Sequence, residues 1–213
     1  MAHLALGICS CGCRKPTHET RLVAVTGGPG AGKTAVLEMA LRTLCPHVAV
    51  LPEAASMIFG GGFPREGSPT ARAAAQRAIF HVQRELETLV LAEARVGLAL
   101  CDRGTLDGVA YWPGDAASYW AALGADRATE LARYHAVIHL QTPSDSQGYN
   151  HQNVVRTESP EEARALDDRI QAAWEGHPRR MVVTSRDDFM EKAIEALRLI
   201  GEQVPACCRR PRA

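Results

Sequence analysis

The sequence predicts an α/β domain built on a parallel sheet with helices on both faces, and three observations carry that prediction. Short apolar runs alternate with longer helical patterns along most of the chain. The first apolar run feeds directly into a glycine-rich turn, Gly27 to Thr34, and a helical stretch follows it. The length, 213 residues, suits one domain with a core of its own.

Arg21 to Thr26 (RLVAVT) reads as a buried first strand, and the helix after the glycine-rich turn runs to about Leu44, where Pro46 stops it. His47 to Leu51 is the second strand. Residues 54 to 68 contain Gly60-Gly61-Gly62 and two prolines, and they read as a mobile loop. Ser68-Pro69-Thr70 supplies a cap and first turn for a long helix to about Arg95, with Ala75, Ile79, Val82, Leu86 and Leu89 as its apolar stripe. Gly97 to Cys101 is the third strand, ending at Asp102-Arg103, and Ala136 to Leu140 is the fourth. Ser159-Pro160-Glu161-Glu162 opens a helix to about Glu175, with two acids at the positive end of its dipole. Met181 to Thr184 is the fifth strand and Asp188 to about Glu202 the last helix. The expected division is a tail over residues 1–20, a domain over 21–203 and a second tail over 204–213.

Composition narrows the function classes. Twenty-four basic and 24 acidic residues cancel, so nothing in the balance points to a nucleic-acid or membrane-surface partner. No apolar run approaches the roughly 18 residues of a spanning helix, and Met1 to Ile8 lacks the charged flank of a secretory signal. An odd number of cysteines, seven, suggests reduced thiols and a cytoplasmic setting. Cys9, Cys11 and Cys13 cluster near one end, and Cys207 and Cys208 near the other. The C-x-C-x-C spacing is not the usual one of a zinc site, so both ends read as tails before they read as metal ligands.

The strongest signal is Gly27-Gly28-Pro29-Gly30-Ala31-Gly32-Lys33-Thr34, a complete match to G-x-x-x-x-G-K-[ST] between a strand and a helix. Phosphate groups need converging backbone N–H donors, which bulky side chains would obstruct and a helix start reinforces. The expected contact set is therefore Gly28, Pro29, Gly30, Ala31, Gly32, Lys33, Thr34 and Ala35. Lys33 reaches the terminal phosphates and the Thr34 hydroxyl ligates magnesium. Ligands of open α/β sheets sit beyond the carboxyl ends of the strands, where two acids fall. Asp102 suits a metal-orienting role, with a loop or cap carboxylate as its alternative. Glu53 is either a base for an attacking hydroxyl or the partner of a nearby arginine. Arg103 either binds substrate or pairs with Glu53.

With those residues in hand, the chain resembles the small bacterial AAA-family ATP-binding proteins related to nicotinamide-riboside kinases of the NadR type. The matching pieces are GGPGAGKT, PEAASMI, GGFP, CDRGTLDGVAYWPG, RTESPEEA, WEGHPRR and DDFMEK, which span about Leu22 to Ile200. More distantly it is similar to deoxynucleoside and thymidylate kinases. The resemblance implies a three-layer P-loop NTPase fold with strand order 2-3-1-4-5. It assigns Glu53 as base and Asp102-Arg103 as the acid-arginine pair. It also implies a lid over Gln147 to Thr157, in which Arg156 is the only arginine, with Arg164 or Arg169 on the next helix as helpers.

Arg72, Gln76, Gln83 and Glu87 lie on the long helix where such kinases meet their acceptor. Read from spacing alone, Gln76, Gln83 and Glu87 share one face, and a solvated face is the plainer expectation. Tyr111, Trp112 and Trp120 are expected in the core, and His177 to Arg180 at a helix end. Ser185 to Asp188 falls near the purine, and no guanine signature occurs there, so ATP is expected with GTP as the alternative. Three functions follow: a kinase phosphorylating a nucleoside-like hydroxyl compound, an NTP-dependent switch or slow NTPase acting through a protein partner, and an interaction module with a degenerate site. Intact Lys33, Thr34 and Asp102 disfavour the third. A ring motor is disfavoured by the missing second helical domain and clear arginine finger. Oligomeric state is not legible.

Overall fold

The computed structural model describes residues 11–143, 160–185 and 188–209. Five parallel strands form one sheet in the order β2-β3-β1-β4-β5. They are β1 (Arg21–Thr26), β2 (Val48–Leu51), β3 (Leu98–Asp102), β4 (Ala136–Leu140) and β5 (Arg180–Val183). Val23 aligns with Leu100 of β3 on one side and Ala136 of β4 on the other, so β1 sits at the centre. Nearly every side chain of β1, β3 and β4 is buried, as expected of a sheet covered on both faces.

The alternation within β1 splits the core in two. Val23 and Val25 pack with α1 (Lys33–Thr43) and α8 (Phe189–Gln203), through residues such as Val36, Leu37, Ala193 and Ile200. Leu22 and Ala24 face the opposite way, toward α4 (Gly108–Tyr111) and α7 (Pro160–Ala173), with Leu166, Ile170 and Trp174 filling that layer. The remaining helices are α2 (Ala54–Gly60), α3 (Pro69–Glu93), α5 (Ala116–Leu123) and α6 (Arg127–Ala132). Among the described residues no helix is long and apolar enough to cross a membrane.

Two expectations need correction. Residues 54–60 form a helix, not a loop: Ala54 to Phe59 carries no breaker, and the turn ends where Gly61 and Gly62 (φ 94°) release the chain. The long helix starts as expected, with Ser68 capping the Ala71 amide, but its inner face is rotated. Ala75, Gln76, Phe80, Gln83 and Glu87 are buried, while Leu89 is 59 % exposed. The polar residues won that face because partners on other elements meet them. Cys11, Val204 and Cys208 pack into the core layer of α1 and α8, with Cys13 and Cys207 half-buried beside them.

Candidate active site at the carboxyl ends of the strands

β1 delivers the chain into the glycine-rich turn at the sheet's centre. Gly27 has φ 137°, and a Cβ there would stand 2.1 Å from the Leu140 carbonyl oxygen of β4. Only glycine fits so close a backbone approach. Gly32 caps α1 with φ 91°, and the Phe189 ring of α8 packs over it. Gly28, Pro29, Gly30, Ala31, Gly32, Lys33, Thr34 and Ala35 thus form one continuous turn and helix start, in the arrangement the motif predicts.

Lys33 is buried, and its ammonium donates to the carbonyls of Gly27 (2.8 Å) and Gly28 (3.0 Å). Burial first, and then the neighbouring Arg103 charge, pull its pKa down to about 7. Among the described residues its direct hydrogen bonds go to carbonyls, while the charges of Asp102, Glu53 and Asp107 oppose the fall in its pKa. Lys192 of α8 braces the same turn, donating to Ala31 O (2.9 Å) and Gln141 O (2.5 Å), and burial lowers its pKa to about 8.

Asp102 ends β3 beside this lysine. Its Oδ1 is buried and accepts no hydrogen bond among the described residues. Burial raises its pKa, and Lys33 opposes that rise. Arg103 follows with φ 70°, a left-handed conformation that a bulky side chain adopts only when its surroundings enforce it. The twist turns its guanidinium onto Glu53, with Nε donating to Oε1 at 2.7 Å, and onto Gly27 O at 3.3 Å. The guanidinium also sits 5.6 Å from the Tyr111 ring centroid. Of the readings open for Glu53 and Arg103, the pairing is observed, and both residues line the cleft. Burial pushes the Glu53 carboxyl up, but Arg103 and a 2.5 Å hydrogen bond from Ser56 bring it below its ordinary value.

Two acids in this region escaped the sequence reading. Asp107, just after β3, accepts from the Thr26 hydroxyl and from Gly104 N–H (2.7 Å), tying β1 to the Asp102-Arg103 turn. Asp167 of α7 accepts from the Gly28 amide at 2.6 Å and the Thr142 amide at 3.2 Å, and it faces His139 Nε2 at 3.0 Å. Burial works against its ionised form, but His139 together with the Gly28 and Thr142 amides outweighs it, so its carboxyl titrates below its ordinary value. Asp107 carried a sequence signal, its position within CDRGTLDG. Asp167 carried none, because it is one of two adjacent acids in an amphipathic helix and only the fold tells which faces inward.

Beyond Glu53 and Arg103 opens a cavity of about 980 Å³, bounded by α2, α3, α4 and α7. Arg65, Arg72, Gln76 and Arg169 bring polar groups to its walls, and Ile79, Phe80 and Tyr119 supply apolar ones. Its volume matches the upper end of sites for small organic ligands. Tyr111 and Trp112 line this cavity instead of lying wholly in the core, while Trp120 packs edge-on against the fully buried Tyr119. Gln76 and Gln83 of α3 face the cavity, not solvent. His177 is buried against Tyr134 O, and Arg180 begins β5. Arg156 and the expected lid lie outside the described residues.

A strand, a glycine-rich phosphate turn, a buried lysine on the following helix and an acid at the end of the neighbouring strand define a P-loop nucleotide-binding protein. The chain belongs to the AAA domain family, whose model matches residues 22–192. A search of curated proteins found no match.

Proposed function

We propose that this protein is an ATP-dependent kinase that phosphorylates a hydroxyl of a small, nucleoside-like metabolite held in the cleft. The observation that carries the reading is the 980 Å³ cleft that meets the end of the sheet at the Glu53–Arg103 pair. A nucleotide switch has no use for a second organic pocket there, whereas a phosphotransferase needs one beside its phosphate turn.

In this reading the triphosphate lies along the turn, and Lys33 leaves the Gly27 and Gly28 carbonyls for the phosphate oxygens. Thr34, exposed at the start of α1, and Asp102, with its unpartnered buried oxygen, are hard oxygen donors that suit Mg²⁺. Bound there, magnesium would neutralise charge on the phosphates. The acceptor hydroxyl approaches from the cleft. Its oxygen forms the new bond to the γ-phosphorus as the bond to the β–γ bridging oxygen breaks, the bridging oxygen leaves on ADP with the electron pair, and the hydroxyl proton passes to Glu53. Arg103 holds Glu53 in place, so orientation is supplied before substrate arrives. Phe189, over Gly32 and 39 % exposed, offers a face for the purine, which supports no choice between ATP and GTP.

The deciding experiment measures ATP consumption with and without a panel of nucleosides and ribosides. Acceleration by one acceptor, lost in Glu53→Gln with nucleotide binding intact, supports the kinase. Slow turnover unaffected by every acceptor, and by Glu53→Gln, overturns it in favour of an NTP-dependent switch.

A further inference from the structure

The cysteines that resisted a zinc reading in sequence come together in space. Cys11, Cys45, His47 and Cys208 place one ligand atom each within 4.8 Å of all the others, and Cys13, His18, His47 and Cys208 form a second such set. Three separate stretches of chain meet here: the segment before β1, the link between α1 and β2, and the short helical turn after α8. The place is the amino-terminal edge of the sheet, opposite the phosphate turn. His47 directly precedes β2, and its carbonyl accepts from the amides of Gly97 and Leu98 at the start of β3. Cys208 Sγ would stand 3.2 Å from a Cβ built on Gly97.

We propose that this cluster is a structural zinc site, with Cys11, Cys45, His47 and Cys208 as the four ligands. The argument rests on donor chemistry and spacing. Three thiols and one imidazole are the Cys₃His set that zinc takes in closed tetrahedral sites. With Zn–S bonds of about 2.3 Å, the edges of such a tetrahedron are about 3.8 Å between sulfurs and slightly less to nitrogen. Cys11 Sγ lies 3.6 Å from His47 Nδ1, already at that edge length. Of the two sets this one is the drier, with all three of its cysteines buried, as a closed site requires. Cys13 and His18, 3.4 Å apart, lie beside it as an outer pair, and the His18 ring sits 4.6 Å from that of His47.

Such a site ties both ends of the chain to the sheet. Ligand positions 11 and 208 bracket the whole catalytic region, so an ion shared between them closes almost the entire chain into one loop. The site lies at the far end of the strands from Lys33 and Asp102, so it acts on stability and not on phosphate chemistry.

The test measures zinc by elemental analysis in the full chain, purified reduced and dialysed against a weak chelator. The expected result is one zinc per chain, lost in Cys45→Ser and in Cys208→Ser and kept in Cys101→Ser, whose thiol lies on the other face of the sheet. Because a ligand variant can fail to fold, Co²⁺ added to the metal-stripped wild type gives a second readout. It should produce the intense visible bands of a tetrahedral site together with thiolate-to-metal charge transfer. Stripping the metal should speed hydrogen exchange in residues 11–20 and 204–209, with Mg-nucleotide affinity unchanged. Absence of retained zinc together with an octahedral cobalt spectrum overturns the proposal. Zinc kept in Cys45→Ser and lost in Cys13→Ser overturns the ligand assignment. Neither result bears on the kinase reading, which rests on the other end of the sheet.

Discussion

Two carboxylates, the fully buried Glu87 and the half-buried Asp102 with its buried Oδ1, live in opposite circumstances. Glu87 of α3 is fully buried and accepts from Gln83 Nε2 (2.8 Å), Tyr134 OH (2.6 Å) and Arg133 (2.6 Å). Its neighbour Glu130 accepts from Arg84 and from Thr105 Oγ1 (3.0 Å). Asp102 ends β3 with a buried oxygen that accepts nothing among the described residues, and Lys33 beside it donates there to backbone carbonyls. The first arrangement is closed: each carboxylate is satisfied, and the cluster locks α3, α6 and the turn after β3 together. The second is open, with desolvation already imposed and its compensation still to come from a ligand. Buried charge alone therefore does not mark the site. An unpaired carboxylate oxygen beside the phosphate turn does, whereas Arg133 Nε, also without a hydrogen-bond acceptor among the described residues, sits inside the closed cluster.

The sharpest way to break this contrast is Glu87→Ala. It takes from the half-buried Arg133 and the buried Tyr134 their nearest acceptor, leaving Arg133 with Glu130 at 3.6 Å and Tyr134 with Thr105 Oγ1 at 3.2 Å, a loss expected to cost about 3 kcal/mol of folding stability. Urea unfolding measures it, and nucleotide affinity of the folded fraction should not move. A loss below about 1 kcal/mol, or a weakened nucleotide, would mean that the cluster is no closed structural unit.

Lys33→Ala should show the reverse pattern. Nucleotide affinity falls by about 10²-fold, the size of one preorganised charged donor, while stability holds or rises because a poorly solvated cation is gone. Titration calorimetry with Mg-ATP and thermal unfolding report the two halves separately. Asp167 should fall between these extremes, because it is satisfied yet touches the phosphate turn. Asp167→Ala strands the Gly28 and Thr142 amides and should cost about 1–3 kcal/mol of stability. It should also speed amide exchange at Gly28, visible by hydrogen-exchange mass spectrometry. Unchanged exchange there would detach α7 from the turn.

The same contrast explains what the sequence could and could not reveal. The strands and the phosphate turn were legible because each rests on local signals: apolar runs, glycines at fixed offsets, and a lysine and threonine at the helix start; the strand order came only with the family resemblance. Glu53, Asp102 and Arg103 were legible as strand-end residues, and a Glu53–Arg103 pair was one of two open readings, which the φ of Arg103 decides by setting where its side chain goes. The inner face of α3 was misread because periodicity counts apolar residues. Gln83 and Glu87 are buried only through Arg133 and Tyr134, some fifty positions away. The cysteine cluster failed for the same reason: its ligands come from three distant segments, so no spacing rule could join them. Short-range chemistry is written in the sequence, whereas satisfaction of buried polar groups is a property of the assembled fold.

The smallest effect tests whether the open arrangement is open in the sense argued. Burial and Arg103 hold the free Lys33 near pKa 7, against 10.5 ordinarily. The unfolded chain therefore binds more protons than the folded one between those values, and the Lys33 contribution to stability becomes more favourable as pH rises from 7 toward 10.5. Binding runs the other way. Phosphate oxygens favour the charged lysine and raise its pKa, so association above neutrality draws up to one proton from solvent. Affinity should then fall by up to about tenfold, or about 1.4 kcal/mol, for each pH unit above neutrality. Calorimetry in two buffers of different ionisation heat counts the proton directly. Ionisation of the nucleotide's own terminal phosphate contributes equally to wild type and Lys33→Ala, so the difference between them isolates the lysine. An identical pH dependence in both proteins would show that Lys33 is already charged before the nucleotide arrives, and that the turn is no more open than the Glu87 cluster behind it.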